Sequence, residues 1–195
     1  MKRKVYLAAV SITGFLITIF VPLQLRAQAN PIEKEFVSGG RIEMHLDGGD
    51  YEVRPSATNR IRVTLSGNIG NAKVVLNTNG THADLAVTDT PHNNFHAVIE
   101  VPAAADLRIQ LTAGNLVTGA IRGNKDISSH AGNAEISVGD PKDYLKVDAS
   151  VNAGNIDAGV FGSSTGGLFR SFKWSGPGKF LIHAHLGAGN LTLQK

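Results

Sequence analysis

A repeated Ala-Gly-Asn tripeptide constrains the fold of this chain more than any other feature. The tripeptide occurs four times, and its asparagines are separated by 18, 22 and 35 residues. Glycine adopts positive φ at no steric cost, and asparagine tolerates the left-handed region better than most residues. Each copy therefore predicts a corner between two strands. The glycine and asparagine pairs are Gly114-Asn115, Gly132-Asn133, Gly154-Asn155 and Gly189-Asn190.

The spacing of the copies predicts a stacked repeat. Intervals of 18 and 22 residues are typical of units that stack on their neighbours. The interval of 35 residues indicates one unit plus an insertion at about residues 162–178. Two looser relatives, Gly49-Asp50-Tyr51 and Gly67-Asn68-Ile69, extend the pattern toward the N-terminus with the same spacing of 18 residues.

Apolar and polar residues alternate between the corners, and glycine, proline and asparagine lie where turns are expected. A period of two is typical of strands buried on one face. No long stretch after residue 29 has helical periodicity, so we expect an all-β fold. The apolar members are Ile42, Met44, Leu46, Ile61, Val63, Leu65, Leu85, Val87, Leu107, Ile109 and Leu111.

The architecture could be a parallel β-solenoid or an antiparallel sandwich. Asn79-Gly80 could form the two-residue hairpin turn that favours a sandwich. The regular Gly-Asn corners favour the solenoid, because stacking places identical residues about 4.8 Å apart and lets asparagine amides form ladders. We therefore predict a single-domain parallel β-solenoid over residues 30–195, built from coils of roughly 20 residues.

The first 29 residues have the pattern of a secretory signal peptide. Basic residues at positions 2–4 precede an apolar run over residues 5–23, and Ala27-Gln28-Ala29 forms a small-x-small exit. This pattern predicts cleavage after Ala29 and export to the periplasm or the cell surface. The alternative is an uncleaved membrane anchor, which Pro22 and the cleavage pattern disfavour.

Charge and cysteine content narrow the classes of partner. The formal net charge of +3 falls to −1 when the four basic residues of 1–29 are removed. A nucleic-acid partner requires a basic footprint on the folded part, which is absent overall.

The chain has no cysteine, so we expect packing and hydrogen bonds to hold it together without disulfides.

Three segments resemble the bacterial putative-adhesin domain of unknown function. They are the run Gly40-Arg41-Ile42-Glu43-Met44-His45-Leu46-Asp47-Gly48-Gly49-Asp50-Tyr51-Glu52-Val53-Arg54, the segment from Val101-Pro102 to Asp106-Leu107-Arg108-Ile109, and the serial Ala-Gly-Asn tripeptides. The chain has Asn where the family frequently has Asp. That family is described as similar to the heads of autotransporter adhesins. The resemblance implies an exported β-solenoid and no known catalytic activity.

Two groups of residues are candidate metal ligands. The corner asparagines offer neutral amides, whereas calcium prefers carboxylates, so we predict structural ladders there. His183 and His185 share one face of a predicted strand, and a third histidine such as His130 could complete a zinc site. No cysteine or acidic ligand is placed beside them by the sequence. We therefore predict solvent-facing histidines, no metal site and no cofactor.

The predicted insertion concentrates aromatic residues in a chain that is otherwise poor in them. Phe169, Phe172 and Trp174 could bind a partner through exposed rings. Alternatively, they cap the last coil and protect its edge from aggregation. The sequence leaves both roles open.

Catalytic motifs are missing from the sequence. Its acidic residues are scattered, and it has no Gly-x-Ser-x-Gly elbow, P-loop or metalloprotease helix. We therefore predict a non-enzymatic, adhesin-like binding or structural module of the cell envelope, with an unidentified glycan or protein partner. The alternatives are a glycan-active β-helix enzyme, which needs converging carboxylates, and a self-assembling envelope protein.

Overall fold

The computed structural model describes residues 31–195, which form an all-β fold. This part of the chain contains twelve strands, two short 3-10 turns at Pro141–Asp143 and Gly159–Phe161, and no α-helix. The strands are β1 (Ile32–Glu35), β2 (Arg41–Leu46), β3 (Gly49–Ser56), β4 (Arg60–Gly67), β5 (Lys73–Asn79), β6 (His82–Thr88), β7 (Phe95–Pro102), β8 (Asp106–Thr118), β9 (Lys125–Ser137), β10 (Tyr144–Ala158), β11 (Ser163–Ser175) and β12 (Phe180–Gln194).

The predicted signal peptide, residues 1–29, lies outside the described residues, as does its cleavage point after Ala29. Within residues 31–195, no helix has the length and hydropathy that crossing a membrane requires.

The strands form one mixed sheet with a parallel centre. Strands β8, β9, β12 and β10 lie side by side in that order, all parallel. Beyond β8 the sheet divides into two branches. The first half of β8 pairs with β2, which continues to β6 and β5, and its second half pairs with β3, which continues to β7, β4 and β1.

The prediction of a parallel β-solenoid is not supported. In a solenoid each coil stacks on the one before it, whereas here β12 lies between β9 and β10. Four strand pairs are antiparallel: β1 with β4, β4 with β7, β5 with β6 and β10 with β11. The predicted insertion at residues 162–178 contains β11, an antiparallel edge strand that pairs only with β10.

The core is formed by both halves of each long strand. In β8, alternate residues before the corner are buried, ending with Leu111, and the next buried residue is Leu116. Because this step is an odd number of residues, the buried positions change from odd to even numbers at the corner. The strand bends there, and its apolar residues stay inside. The same step occurs in β9, β10 and β12. All apolar members of the predicted alternation are buried in one hydrophobic cluster.

The corner glycines stack so closely that no side chain fits. Gly132 has φ of +120°, and a Cβ on it would lie 1.7 Å from the carbonyl oxygen of Gly114. Gly189 meets the carbonyl oxygen of Gly132 at the same distance. Since only glycine permits this approach, the Ala-Gly-Asn repeat is a requirement of corner stacking.

The two looser relatives of the repeat differ in their placement. Gly49 and Asp50 pair in register with Gly114 and Asn115, so this copy joins the stack. Gly67 ends β4, which runs antiparallel to β7, and lies outside the stack. The spacing of 18 residues alone therefore does not identify a stacked corner. Gly80 and the following residue form a two-residue hairpin loop between β5 and β6.

The core contains a buried lysine. Lys125 is 2% exposed and takes the place of an apolar residue beside Leu107 and Ile182. Its ammonium donates hydrogen bonds of 2.6 Å to the Ile121 carbonyl and to the Tyr144 hydroxyl. Burial lowers the pKa of Lys125 to about 8, although the negative charge of Asp106 opposes this shift.

Candidate binding groove

An open groove crosses the outward face of the parallel strands beside the corners. Its volume is about 390 Å³. Strands β2, β8, β9 and β12 supply most of its wall. The lining residues are His45, Leu46, Asp47, Thr88, Gln110, Leu111, Thr112, Ser128, Ser129, His130, Asn152, His185 and Gly187.

One side of the groove is a row of polar residues in strict register. His45 pairs with Gln110, Gln110 with Ser128, and Ser128 with His185. Ser150 of β10 continues the row, and its hydroxyl lies 2.9 Å from His185 Nδ1. Because neighbouring strands are about 4.8 Å apart, the row offers a polar group at each such step. We call these five residues the polar row.

Each residue of the polar row lies five positions before a corner residue. Gln110, for example, precedes Asn115 by five, and His45 precedes Asp50 by five. No motif in the sequence marks His45, Gln110 or Ser128 as site residues. Alignment of the chain on its corners would have found them, because outward residues at equal distance from stacked corners fall on one line.

A loop closes one end of the groove. The backbone N–H of Asp89 donates a 2.9 Å hydrogen bond to the carboxylate of Asp47, and the Thr90 hydroxyl donates a 2.6 Å bond to the Gly48 carbonyl. These bonds connect the end of β6 to the turn between β2 and β3. They position Asp47 and Thr88 as the end wall.

The groove combines apolar surface with polar side chains that carry little formal charge. Apart from three histidines, its side-chain donors and acceptors come from Gln, Asn, Ser and Thr, and Asp47 is the single carboxylate among the described lining residues. No lysine, arginine or aromatic ring other than histidine belongs to that lining. Uncharged donors and acceptors beside apolar surface can bind a ligand that carries hydroxyl groups on a carbon skeleton, and the described lining offers no lysine or arginine to pair with an anion.

An asparagine ladder occupies the corner itself. The side-chain amide of Asn155 donates to Asn190, that of Asn190 to Asn133, and that of Asn133 to Asn115, each over 2.9 Å. The Asn115 amide donates a 2.7 Å bond to the Asp50 carboxylate. The order along the ladder follows the strand order of the sheet. All five side chains are engaged in the ladder, so their arrangement supports a structural role.

The three aromatic residues of the predicted insertion do not form one surface. The rings of Phe172 and Trp174 lie 6.0 and 4.7 Å from the ring of Phe161, and all three pack against the core at the end of the sheet. Phe169 is 81% exposed, with φ of +50°, and its neighbour Leu168 is 66% exposed. Two of the rings thus cover the core while the third faces solvent.

The three histidines of the zinc alternative lie in different surroundings. His185 lies in the polar row beside Ser150, and His130 lies on another part of the groove wall. His183 is exposed two residues earlier, between Asp126 and Asp148 on the neighbouring strands. Within residues 31–195, none of these histidines belongs to a group of three ligand atoms within 4.8 Å of one another.

A different group does meet that criterion. Glu43 of β2 and His82 and Asp84 of β6 bring one ligand atom each within 4.8 Å of the other two. The sequence carries no signal for this group, because Glu43 and His82 are 39 positions apart. Only the parallel register of β2 with β6 brings them together.

The acidic residues of the parallel face are paired with cations. Arg108 Nε lies 3.6 Å from an Asp126 oxygen, and Lys146 Nζ lies 3.8 Å from an Asp148 oxygen. Arg41 Nε lies 3.1 Å from Glu43 Oε1. This face therefore carries alternating charges beside the groove.

No protein-family model matches the chain, and no curated protein sequence matches it. Among solved structures, a putative cell adhesion protein from Clostridium sporogenes ATCC 15579 is similar over 85% of this chain and 99% of that chain, with 13% identity and a TM-score of 0.50. A putative adhesin from Parabacteroides distasonis ATCC 8503 aligns over 86% of this chain and 70% of that chain, with 10% identity and a TM-score of 0.28. The chain has a putative-adhesin-like fold on the strength of the first likeness, and the second is too weak to carry an argument.

Proposed function

We propose that this protein is an exported, non-enzymatic binding module of the cell envelope that holds an extended glycan along the groove. The observation that carries the proposal is the polar row, which offers hydrogen-bonding groups on five parallel strands in register. A chain of sugar rings presents hydroxyl groups at regular intervals and could follow this line. The shared fold with a protein named for cell adhesion agrees with this role.

The rigidity of the groove supports binding by a preformed surface. The strands below it are parallel and hydrogen-bonded on both sides, and their inward residues lie in the core. A surface that does not reorganise loses little entropy when a ligand binds. The open shape suits a polymer that extends out of the groove at the end opposite the wall formed by Asp47 and Thr88.

The rival proposal is a glycan-active enzyme. Glycoside hydrolysis ordinarily requires two carboxylates that flank the scissile bond. Asp47 is the single carboxylate among the described residues of the groove wall, which favours binding over hydrolysis. Release of reducing ends from a bound polysaccharide would support the enzyme instead.

Export is part of the proposal and rests on the leader pattern of residues 1–29. The test is mass spectrometry of the protein recovered from periplasmic and cell-surface fractions of the producing cells. We expect a chain that begins at Asn30. Recovery of an intact N-terminus from the cytoplasm would contradict export.

The binding test is a glycan array probed with the wild-type chain and a His45→Ala/Gln110→Ala variant. Both side chains point outward, so their removal should leave the core intact. We expect specific retention of one or more glycans by the wild type and at least a tenfold loss in the variant. Absence of retention by the wild type would refute the proposal.

Two control variants locate the site. Glu135→Ala/Thr192→Ala removes polar groups beyond the corner, on the other half of the strands, and should bind like the wild type. Phe169→Ala tests the exposed ring of β11. If Phe169→Ala abolishes retention while the groove variant retains it, the binding site is the edge of the sheet and the groove assignment is wrong.

A further inference from the structure

Strands β2 and β6 place three metal-ligating side chains on one outward face. Glu43 and Asp84 are partners in the parallel register, and His82 lies two residues before Asp84, hence on the same face. One ligand atom of each lies within 4.8 Å of the other two. We propose that Glu43, His82 and Asp84 form a binding site for a divalent transition-metal ion such as Zn²⁺.

The distances suit a small coordination sphere. His82 Nε2 lies 3.1 Å from Asp84 Oδ1, close to the roughly 3.4 Å that separates two ligands of a tetrahedral zinc ion with bonds of about 2.1 Å. The wider separations can close by rotation of the Glu43 side chain, which has three torsions. The backbone already fixes the positions from which the three side chains extend, because two adjacent strands carry them.

The donor set selects the class of metal. One imidazole nitrogen and two carboxylates suit Zn²⁺, Co²⁺ and Ni²⁺, whereas Ca²⁺ requires six or more oxygen ligands. Three protein ligands leave at least one position for water or for an oxygen of a bound molecule. Asp84 is exposed, so that position faces solvent.

Arg41 forms an ion pair with Glu43, one of the three proposed ligands. Its Nε lies 3.1 Å from Glu43 Oε1, and the Arg41 side chain is about half exposed. Metal binding exchanges this cation for the ion. Removal of the guanidinium therefore strengthens metal binding, which is a result that a purely structural ion pair does not produce.

The test is calorimetric titration of the full chain, purified without a histidine tag, with Zn²⁺ and separately with Co²⁺. We expect one ion per chain, and visible absorption of the Co²⁺ complex that reports low coordination number. His82→Gln and Asp84→Asn should each weaken binding at least tenfold, and Arg41→Ala should strengthen it severalfold. Ca²⁺ should not compete.

The matched control is His96→Gln. His96 also faces outward and pairs in register with an acidic residue, Asp50, but within residues 31–195 no group of three ligand atoms includes it. It should bind metal like the wild type. The proposal is overturned if the wild type takes up no ion, or if His82→Gln binds as tightly as the wild type with an unchanged circular dichroism spectrum. These readouts do not involve a glycan, so they are independent of the proposed function.

Discussion

The side-chain amide of Asn115 donates a 2.7 Å hydrogen bond to the carboxylate of Asp50. This bond ends the asparagine ladder, in which every amide nitrogen donates toward Asp50. A carboxylate has no donor of its own when ionised, so it can only accept at this end. The direction of the whole ladder therefore agrees with the placement of the one acidic corner residue.

The ladder predicts different costs for its inner and outer members. Asn133→Ala removes the hydrogen bond to Asn115 and two hydrogen bonds from Asn190. Asn155→Ala removes a single side-chain hydrogen bond, the one to Asn190. At about 1 kcal/mol for each bond, we expect Asn133→Ala to lower the free energy of unfolding by about 2–3 kcal/mol and Asn155→Ala by about 1 kcal/mol. Urea titration measures both. Equal losses would contradict a continuous ladder.

The corner glycines predict a much larger effect. Gly132→Ala places a methyl group 1.7 Å from the Gly114 carbonyl oxygen at φ of +120°, so the corner must open. We expect a loss of about 3 kcal/mol or more in the free energy of unfolding. Gly48→Ala is the control, because its methyl group would lie 3.7 Å from the nearest atom. A stable Gly132→Ala variant would show that the corners are less tightly stacked.

Lys125 predicts an unusual dependence of stability on pH. Its pKa is about 8 in the folded chain and 10.5 when unperturbed, so between these values the unfolded chain binds the proton more tightly. Stability therefore rises as the pH increases from about 8 to 10.5, by on the order of 3 kcal/mol. Above pH 10 the gain is opposed, because burial raises the pKa of Tyr144 to about 12 and also raises the pKa of Tyr51, so that both tyrosines ionise first in the unfolded chain.

The measurement is urea unfolding at several pH values for the wild type and for Lys125→Met/Tyr144→Phe. The double variant removes the buried ammonium together with the hydroxyl that accepts from it. We expect the rise in stability between pH 8 and 10 to disappear in the double variant. A wild-type profile that falls steadily over this range would contradict the burial of a titrating Lys125.

Thr118 offers a stabilising substitution. Its side chain is fully buried, and its hydroxyl has no hydrogen-bond partner among the described residues. Valine has the same shape without the hydroxyl, so Thr118→Val should raise the free energy of unfolding by about 1 kcal/mol. Thermal unfolding checks this, with Thr112→Val as the control at an exposed position of the same strand.

Alanine substitutions at the packed and at the exposed aromatic residue of β11 should change stability by different amounts. Trp174→Ala removes a ring that packs 4.7 Å from Phe161 and against the core, and we expect a loss of about 2 kcal/mol in unfolding free energy. Phe169→Ala removes an exposed ring and should leave stability nearly unchanged. Comparison of their urea midpoints decides whether the capping role belongs to Trp174.

The sequence predicted which face of each strand is buried better than it predicted which strands lie side by side. The alternation through Met44 and Ile109 identified buried positions, because burial follows from each strand's own pattern. The order of the strands does not follow from such a pattern, since any parallel neighbour satisfies the same backbone bonds. A solenoid of successive coils would place Asn155 directly on Asn133, whereas in the structure Asn190 lies between them.

The candidate sites differ in how far the sequence could have revealed them. The polar row repeats at a constant distance from the corners, so alignment on Asn115 and Asn133 would have found Gln110 and Ser128. The three proposed metal ligands carry no such signal. Their proximity depends on the pairing of β2 with β6, which the sequence leaves open.

The position of β12 has a consequence for when this sheet can form. During synthesis β9, β10 and β11 all emerge before β12, yet β9 and β10 are joined only through it. Until β12 is available, the nascent chain holds two parallel edges that cannot meet in the native register. The native sheet therefore assembles late, from an incompletely paired chain, and a truncation that removed β12 would expose two further strand edges, those of β9 and β10.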